Sequence, residues 1–138
     1  MGLTHYWRRP PALRVPVFAW AADDCRKMMP LIGVALADGQ GPATFNQELI
    51  RFNGAGAQRC ETFLVRQAEI DLRHRPTVFS FCKTHGLPYD LCVRAALIIL
   101  RHHLGNAIGV FSDDADWNDA CALCQEHLGY GRQFRLDP

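Results

Sequence analysis

The sequence predicts a single α+β domain spanning residues 1–138, with a mixed, mostly antiparallel sheet of five or six strands and about three helices packed mainly on one face. Three observations support this class. Residues 77–83 (Thr-Val-Phe-Ser-Phe-Cys-Lys) have the β-branched and aromatic composition of a strand. Residues 88–104 are apolar around most of a helical circumference, which indicates a central core helix. The chain of 138 residues is long enough to bury a core as one domain.

Proline residues divide the first elements of the chain. Residues 3–8 are typical of an edge strand, because Pro10 and Pro11 follow and lack the amide hydrogens that a central strand requires. Apolar residues then recur at helical spacing and predict a helix over residues 16–29, which Pro30 ends.

The next stretch predicts short strands joined by turns. Residues 32–37 indicate a short strand, and residues 38–42 (Asp-Gly-Gln-Gly-Pro) have the composition of a turn. Residues 48–53 and 61–67 alternate in the manner of two further strands. The loop between them, residues 53–56, resembles a phosphate-binding cradle, but that motif requires a helix to follow, so we interpret it as a turn.

Glycines divide the last third of the chain. Gly105 is placed to end the helix over residues 88–104, and residues 107–111 indicate another strand. A final helix is predicted to begin near residues 112–114, where several side chains are able to cap it, and to end before Gly129.

Composition restricts the kinds of partner and the compartment. The 15 Lys and Arg residues nearly balance the 14 Asp and Glu residues, which argues against binding to nucleic acid or to an acidic membrane surface. The longest strongly apolar run, residues 95–100, is too short to span a bilayer, and residues 1–10 contain no export signal. We therefore expect a cytoplasmic protein whose six cysteines are thiols.

One strand-helix-strand unit predicts a site. The helix over residues 88–104 is long enough to return the chain, so the strands on either side of it run parallel if they join one sheet. Their carboxyl ends then lie at one sheet edge, where ligands of α/β proteins bind. The candidate ligand-binding residues brought together there are Cys82, Lys83, Thr84, His85, Ser112, Asp113 and Asp114.

Two classes of function follow from this edge. The first is a non-catalytic binding or interaction module that takes an unknown protein or a small anionic ligand. The second is a small hydrolase or phosphoryl-handling enzyme that uses Lys83, Thr84, Ser112 and Asp113. A purely structural role is the alternative, in which Lys83 pairs with an aspartate and Ser112 caps the last helix. The sequence does not specify catalytic residues, a substrate or an oligomeric state, and we expect no cofactor.

Other side-chain patterns fit their chemistry less well. Cys82 and His85 are a thiol and a base, but residues three apart at a strand end rarely meet, and no third group is evident. The Cys121-Ala122-Leu123-Cys124 segment resembles half of a zinc site without a matching second pair. Residues 114–125 match an EF-hand loop at positions 1, 3 and 5 but lack its glycine and its final glutamate. We therefore expect no bound metal.

Several short segments resemble those of a group of small bacterial hypothetical proteins, over roughly residues 52–136. The segments that carry the resemblance are Phe52-Asn53-Gly54, Glu61-Thr62-Phe63, Phe81-Cys82-Lys83-Thr84, Pro88-Tyr89-Asp90, His102-His103, Ser112-Asp113 and Leu128-Gly129-Tyr130-Gly131. The family pattern reads Ser-Ser-Asp-Gly where this chain has residues 111–114 as Phe-Ser-Asp-Asp. The resemblance implies a bacterial or phage origin and implies no particular reaction.

Overall fold

The computed structural model describes residues 3–39 and 41–138, and it contains both strands and helices. In chain order the strands are β1 (Thr4–Arg9), β2 (Leu36–Ala37), β3 (Thr44–Phe45), β4 (Leu49–Gly54), β5 (Phe63–Arg66), β6 (Val78–Lys83) and β7 (Gly109–Ser112). The helices are α1 (Val15–Ile32), α2 (Asp90–Leu104) and α3 (Asn118–Leu128). The predicted α+β class, with one domain and three helices in the described residues, is confirmed.

The strands, expected in one mixed sheet, divide between two sheets. In the first, β1 lies between β6 and β7 and is antiparallel to both. In the second, β4 pairs antiparallel with each of β2, β3 and β5. Since β6 and β7 both oppose β1, they run in the same direction without touching. The predicted strand-helix-strand unit is therefore present, with a third strand inserted between its two strands.

The edge position expected for β1 is wrong, because β1 is the central strand of the first sheet. The ladder ends at Arg9, which pairs with Val78, so Pro10 and Pro11 lie beyond the last paired residue. Their missing amide hydrogens cost the ladder nothing. A proline pair that follows a strand therefore does not locate that strand within its sheet.

The ends of α1 and α3 also differ from expectation. Helix α1 continues through Pro30 and ends at Gly33, which has φ 81° and so adopts the left-handed conformation that closes many helices. Pro30 lies in the last turn, where its missing amide removes a single hydrogen bond. Helix α3 starts later than expected, because the Asp114 and Asp116 carboxylates accept the amides of residues two positions on and hold the chain in turns.

The core lies between the helices and the inner faces of both sheets. Helix α2 packs against α1 and α3, and its residues from Cys92 to Leu100 are buried. Trp7 on β1 meets Phe63 on β5 with ring centroids 5.1 Å apart, and Phe63 meets Phe52 on β4 at the same distance. These rings join the two sheets in one hydrophobic core.

A buried arginine fixes the chain after the second sheet. Arg9 is 2% exposed, and its guanidinium donates to the backbone carbonyls of Pro10, Pro11, Arg66 and Gln67. Burial lowers the pKa of this guanidinium, against the opposing effect of a nearby glutamate. These contacts hold the end of β5 beside the end of β1. From the end of β5 the chain leads into β6.

The outer face of the first sheet carries aromatic side chains. Residues that alternate with the buried His5, Trp7 and Arg9 point outward, and the pairing places Tyr6 between Phe81 on β6 and Phe111 on β7. Phe79 and Phe81 remain 58% and 59% exposed, and no helix of the described residues lies over them.

Two expectations fall partly on residues that the structure does not describe. Gln40, in the predicted turn 38–42, lies outside the described residues, as do Met1 and Gly2, on which the expected absence of an export signal partly rests. Among the helices of the described residues, none combines the length and apolar character needed to cross a membrane.

Candidate functional sites

The structure brings the two predicted loops to one edge of the first sheet, with the start of β1 between them. Thr4 pairs with Lys83 on one side, and His5 pairs with Ser112 on the other. Two strand spacings separate the backbones of β6 and β7, or about 10 Å. We call this region the strand-edge cluster.

His5 lies at the centre of the strand-edge cluster and was not foreseen. It is 0% exposed, its Nδ1 lies 2.8 Å from the Ser112 Oγ, and its Nε2 lies 2.6 Å from the Asp90 Oδ1. A carboxylate only accepts hydrogen bonds, so Nε2 carries a proton. With a neutral ring, Nδ1 then accepts the Ser112 hydroxyl. The indole of Trp117 packs edge-on against the imidazole, with centroids 5.2 Å apart.

Asp90 connects this histidine to two further elements. Its Oδ1 also accepts the Thr84 hydroxyl, and its Oδ2 accepts the Arg94 Nε at 2.7 Å. Burial favours a raised pKa for Asp90, but the hydrogen bonds from His5, Thr84 and Arg94 outweigh it and leave the pKa below its usual value. Arg94 reaches onward to Asp119 at the start of α3. The chain of contacts thereby connects β1, the loop after β6, α2 and α3.

The carboxylates predicted to face a ligand are already engaged. The Asp113 Oδ2 accepts the Thr4 amide at 3.1 Å, and its Oδ1 accepts the Tyr6 hydroxyl at 3.2 Å. The Asp114 Oδ1 accepts the backbone amide of Asp116. Thr84 and Ser112 serve Asp90 and His5, so with the buried Cys82 thiol five of the seven candidate side chains bind neighbouring protein groups.

The remaining candidates lie on the β6 side of the cluster. Lys83 forms no ion pair among the described residues, although its amide donates to the Glu61 Oε1 at 2.7 Å. His85 is exposed, with a left-handed φ of 55°. Cys82 is buried, its thiol donates to the Glu61 carbonyl, and burial raises its pKa to about 12. Such a thiol is not a nucleophile at neutral pH.

The other candidate metal ligands also serve the fold. Cys124 is buried, and its thiol faces the Ala95 carbonyl of α2, while Cys121 is partly buried on α3. Within residues 3–39 and 41–138, no three His, Cys, Asp or Glu side chains converge in the manner of a metal site.

A second region, which the sequence reasoning missed, is a groove between α2, the end of α3 and the C-terminal segment. Its volume is about 560 Å³, and an adjoining hollow of about 740 Å³ shares several of its residues. We call the two together the tail groove. Its lining includes Arg101, His102, Gln125, Tyr130, Arg132 and Arg135.

Aromatic rings and a tethered tail form the walls of the tail groove. His102 on α2 stacks flat on Tyr130, with centroids 3.6 Å apart and planes at 6°. Burial and the neighbouring His103 lower the pKa of His102, against the opposing effect of Asp24. Arg101 pairs with Asp137 at 2.7 Å, and Asp137 exchanges backbone and side-chain hydrogen bonds with Val110 on β7. These contacts hold the tail against the domain.

Two cations of the tail groove lack a counter-ion. Arg132 and Arg135 are exposed, and neither guanidinium lies within 4 Å of a carboxylate in the described part of the chain. Arg135 donates instead to the carbonyls of Arg132 and Phe134. The sequence signal was available, because Arg132 and Arg135 follow Gly129 and Gly131 in a short tail, but no pattern indicated that the tail folds back on α2.

Comparison of the chain with protein-family models, with curated proteins and with solved structures finds no match.

Proposed function

We propose that this protein is a non-catalytic binding module that takes a small anionic ligand in the tail groove. The observation that carries the proposal is the pair of guanidiniums, Arg132 and Arg135, that line the groove without a carboxylate partner among the described residues. A guanidinium is a planar fork of donors that matches a carboxylate or a phosphate. The class of ligand is the one expected from the sequence, at a different place on the molecule.

The dimensions and walls of the groove support the same proposal. Binding sites for small molecules usually enclose about 300–1,000 Å³, and the two adjoining hollows of the tail groove, of about 560 and 740 Å³, each fall in this range. The stacked His102 and Tyr130 rings offer a flat surface beside the charges, and Gln125 adds a side-chain amide. An anion with a planar organic group would use both kinds of contact.

The test is a thermal-shift titration with inorganic phosphate, citrate and adenosine monophosphate. A probe at 100 times its Kd should stabilise the wild type by about 2.7 kcal/mol. The double variant Arg132→Gln with Arg135→Gln should lose that shift. Arg59→Gln is the matched control, because Arg59 is exposed, forms no ion pair with any residue that the structure describes, and lies outside the groove. If no probe shifts the wild type, or if Arg59→Gln loses the shift equally, the proposal is wrong.

A second candidate is the small hydrolase, favoured by the order Ser112, His5 and Asp90. A hydroxyl, an imidazole and a carboxylate in sequence are the parts of an activated nucleophile. With a fluorophosphonate probe, the Ser112 Oγ would bond to phosphorus, fluoride would leave, and the hydroxyl proton would pass to the His5 Nδ1. Labelling that Ser112→Ala abolishes and Ser80→Ala retains would favour the hydrolase. Unlabelled wild type would exclude it.

A further inference from the structure

Strand β6 lies at the end of the first sheet, and its edge on the side away from β1 is unpaired among the described residues. The Lys83 amide and carbonyl both bond to Glu61, so they point away from β1. Backbone groups of alternate residues in a strand point to the same side. Within β6, the amides and carbonyls of Phe79 and Phe81 therefore also point outward, and the described residues supply no strand to pair with them.

Between Thr77 and Cys82 this edge lacks the usual protection against pairing. Edge strands are commonly guarded by charges, prolines or bulges. The run from Thr77 to Cys82 contains no charge and no proline. Phe79 and Phe81 are more than half exposed, and Phe79 stacks on Tyr6 with centroids 6.0 Å apart. An edge that offers both unpaired backbone groups and apolar side chains is suited to strand addition.

We propose that a second copy of this chain pairs with β6, antiparallel, about a two-fold axis beside Phe79. Glu61 already occupies the edge at Lys83, which limits pairing to residues 77–81. Within that window, the symmetric register places Phe79 opposite the same residue of the other copy, and Thr77 opposite Phe81. The backbone groups of Phe79 and Phe81 point outward, and extension of β6 by one residue to Thr77 on pairing completes the ladder. The result is one continuous six-stranded sheet.

The available apolar surface is sufficient for a dimer. The segment that leads into β6 exposes Ile70 by 90% and Leu72 by 87%. With Phe79 and Phe81, these side chains give two copies a combined apolar surface of about 1,000 Å². This reaches the lower limit of a specific protein interface. The self-complementary pairing, without like charges directly opposed, selects a second copy over an unrelated peptide.

The test uses size-exclusion chromatography with light scattering at about 100 μM protein, where the wild type should have twice the chain mass of 15.5 kDa. Phe79→Lys and Phe79→Glu each place like charges opposite one another and should weaken the dimer about 100-fold. Mixing the two variants should restore the dimer, because the opposed charges then attract. That restoration also shows that both variants are folded.

Trp20→Lys is the matched control, because Trp20 on α1 is 59% exposed and remote from β6 in the fold. It should remain a dimer. A monomeric wild type would overturn the proposal, as would dimeric Phe79→Lys and Phe79→Glu variants, a mixture that stays monomeric, or a Trp20→Lys variant that dissociates.

Discussion

Replacing Asp90 with asparagine should destabilise the protein by about 3 kcal/mol. The buried carboxylate accepts hydrogen bonds from His5, Thr84 and Arg94, and an asparagine amide would face the Arg94 donor with a donor of its own. Breaking a buried ion pair costs about 3–5 kcal/mol. The lower figure applies here because Arg94 retains its contacts with Asp119.

Urea unfolding monitored by tryptophan fluorescence measures this change. For a slope of about 2 kcal/mol per molar, the midpoint should fall by about 1.5 M. Trp7 and Trp117 are both buried, and Trp117 contacts His5, so the signal reports the relevant region. Glu126→Gln is the matched control, because Glu126 is 71% exposed and meets only His127, at 3.9 Å. It should unfold within about 0.5 kcal/mol of the wild type.

The pH dependence gives an independent check on the same residue. The folded pKa of Asp90 is lowered, so the unfolded chain binds more protons as the pH falls below about 4. The stabilisation from Asp90 is therefore fully present above that pH and is lost as the pH falls through the folded pKa. The Asp90→Asn variant should lose less stability on acidification than the wild type. Equal midpoints at pH 7, or parallel acid profiles, would refute the role assigned to Asp90.

Three other measurements test separate features of the fold. Gly54→Ala should lower the free energy of unfolding by about 3 kcal/mol, because the added Cβ would lie 1.9 Å from a backbone oxygen. Gly41→Ala is the control and should be nearly neutral. Similar melting points for the two variants would contradict this reasoning. Iodoacetamide at pH 8 should modify Cys82 at least about 100-fold more slowly than the partly buried Cys60, because Cys82 is buried and its pKa is raised to about 12. Equal rates for the two cysteines, measured by mass spectrometry, would contradict this. Asp137→Ala removes the carboxylate that pairs with Arg101 and accepts the Val110 amide, so it should lower the thermal midpoint by about 5 °C and speed hydrogen exchange of that amide. Unchanged exchange would show that Asp137 does not hold the tail at Val110.

The sequence predicted the elements better than their arrangement. The strand over residues 77–83 and the helix over residues 88–104 were found because composition and periodicity are local properties. The pairing of β1 with β6 and β7 joins residues 69–79 and 101–107 positions apart, and no local pattern specifies such a partner. The division into two sheets follows from that pairing and was missed for the same reason.

The juxtaposition of the candidate residues was predicted in part. Ser112 and Thr84 were placed at one edge with the other candidates, but their hydrogen-bond partners, His5 and Asp90, were not identified. His5, Trp7 and Arg9 are alternate residues of β1 and therefore share one face of the strand, which was a usable signal that the histidine is buried. Asp90 looked like an ordinary acidic residue in the first turn of a helix, because the sequence does not reveal which side of the helix faces β1.

The central position of β1 has a consequence for synthesis on the ribosome. Of the three strands of its sheet, β1 is translated before the other two; it has no partner until β6 is made at Val78–Lys83, and its second neighbour is complete only at residue 112. Its alternating buried and outward-facing residues must therefore wait, unpaired, until β6 and β7 emerge. A nascent chain stalled before β7 would leave one side of this strand, and the His5 imidazole within it, open to solvent and to chaperones.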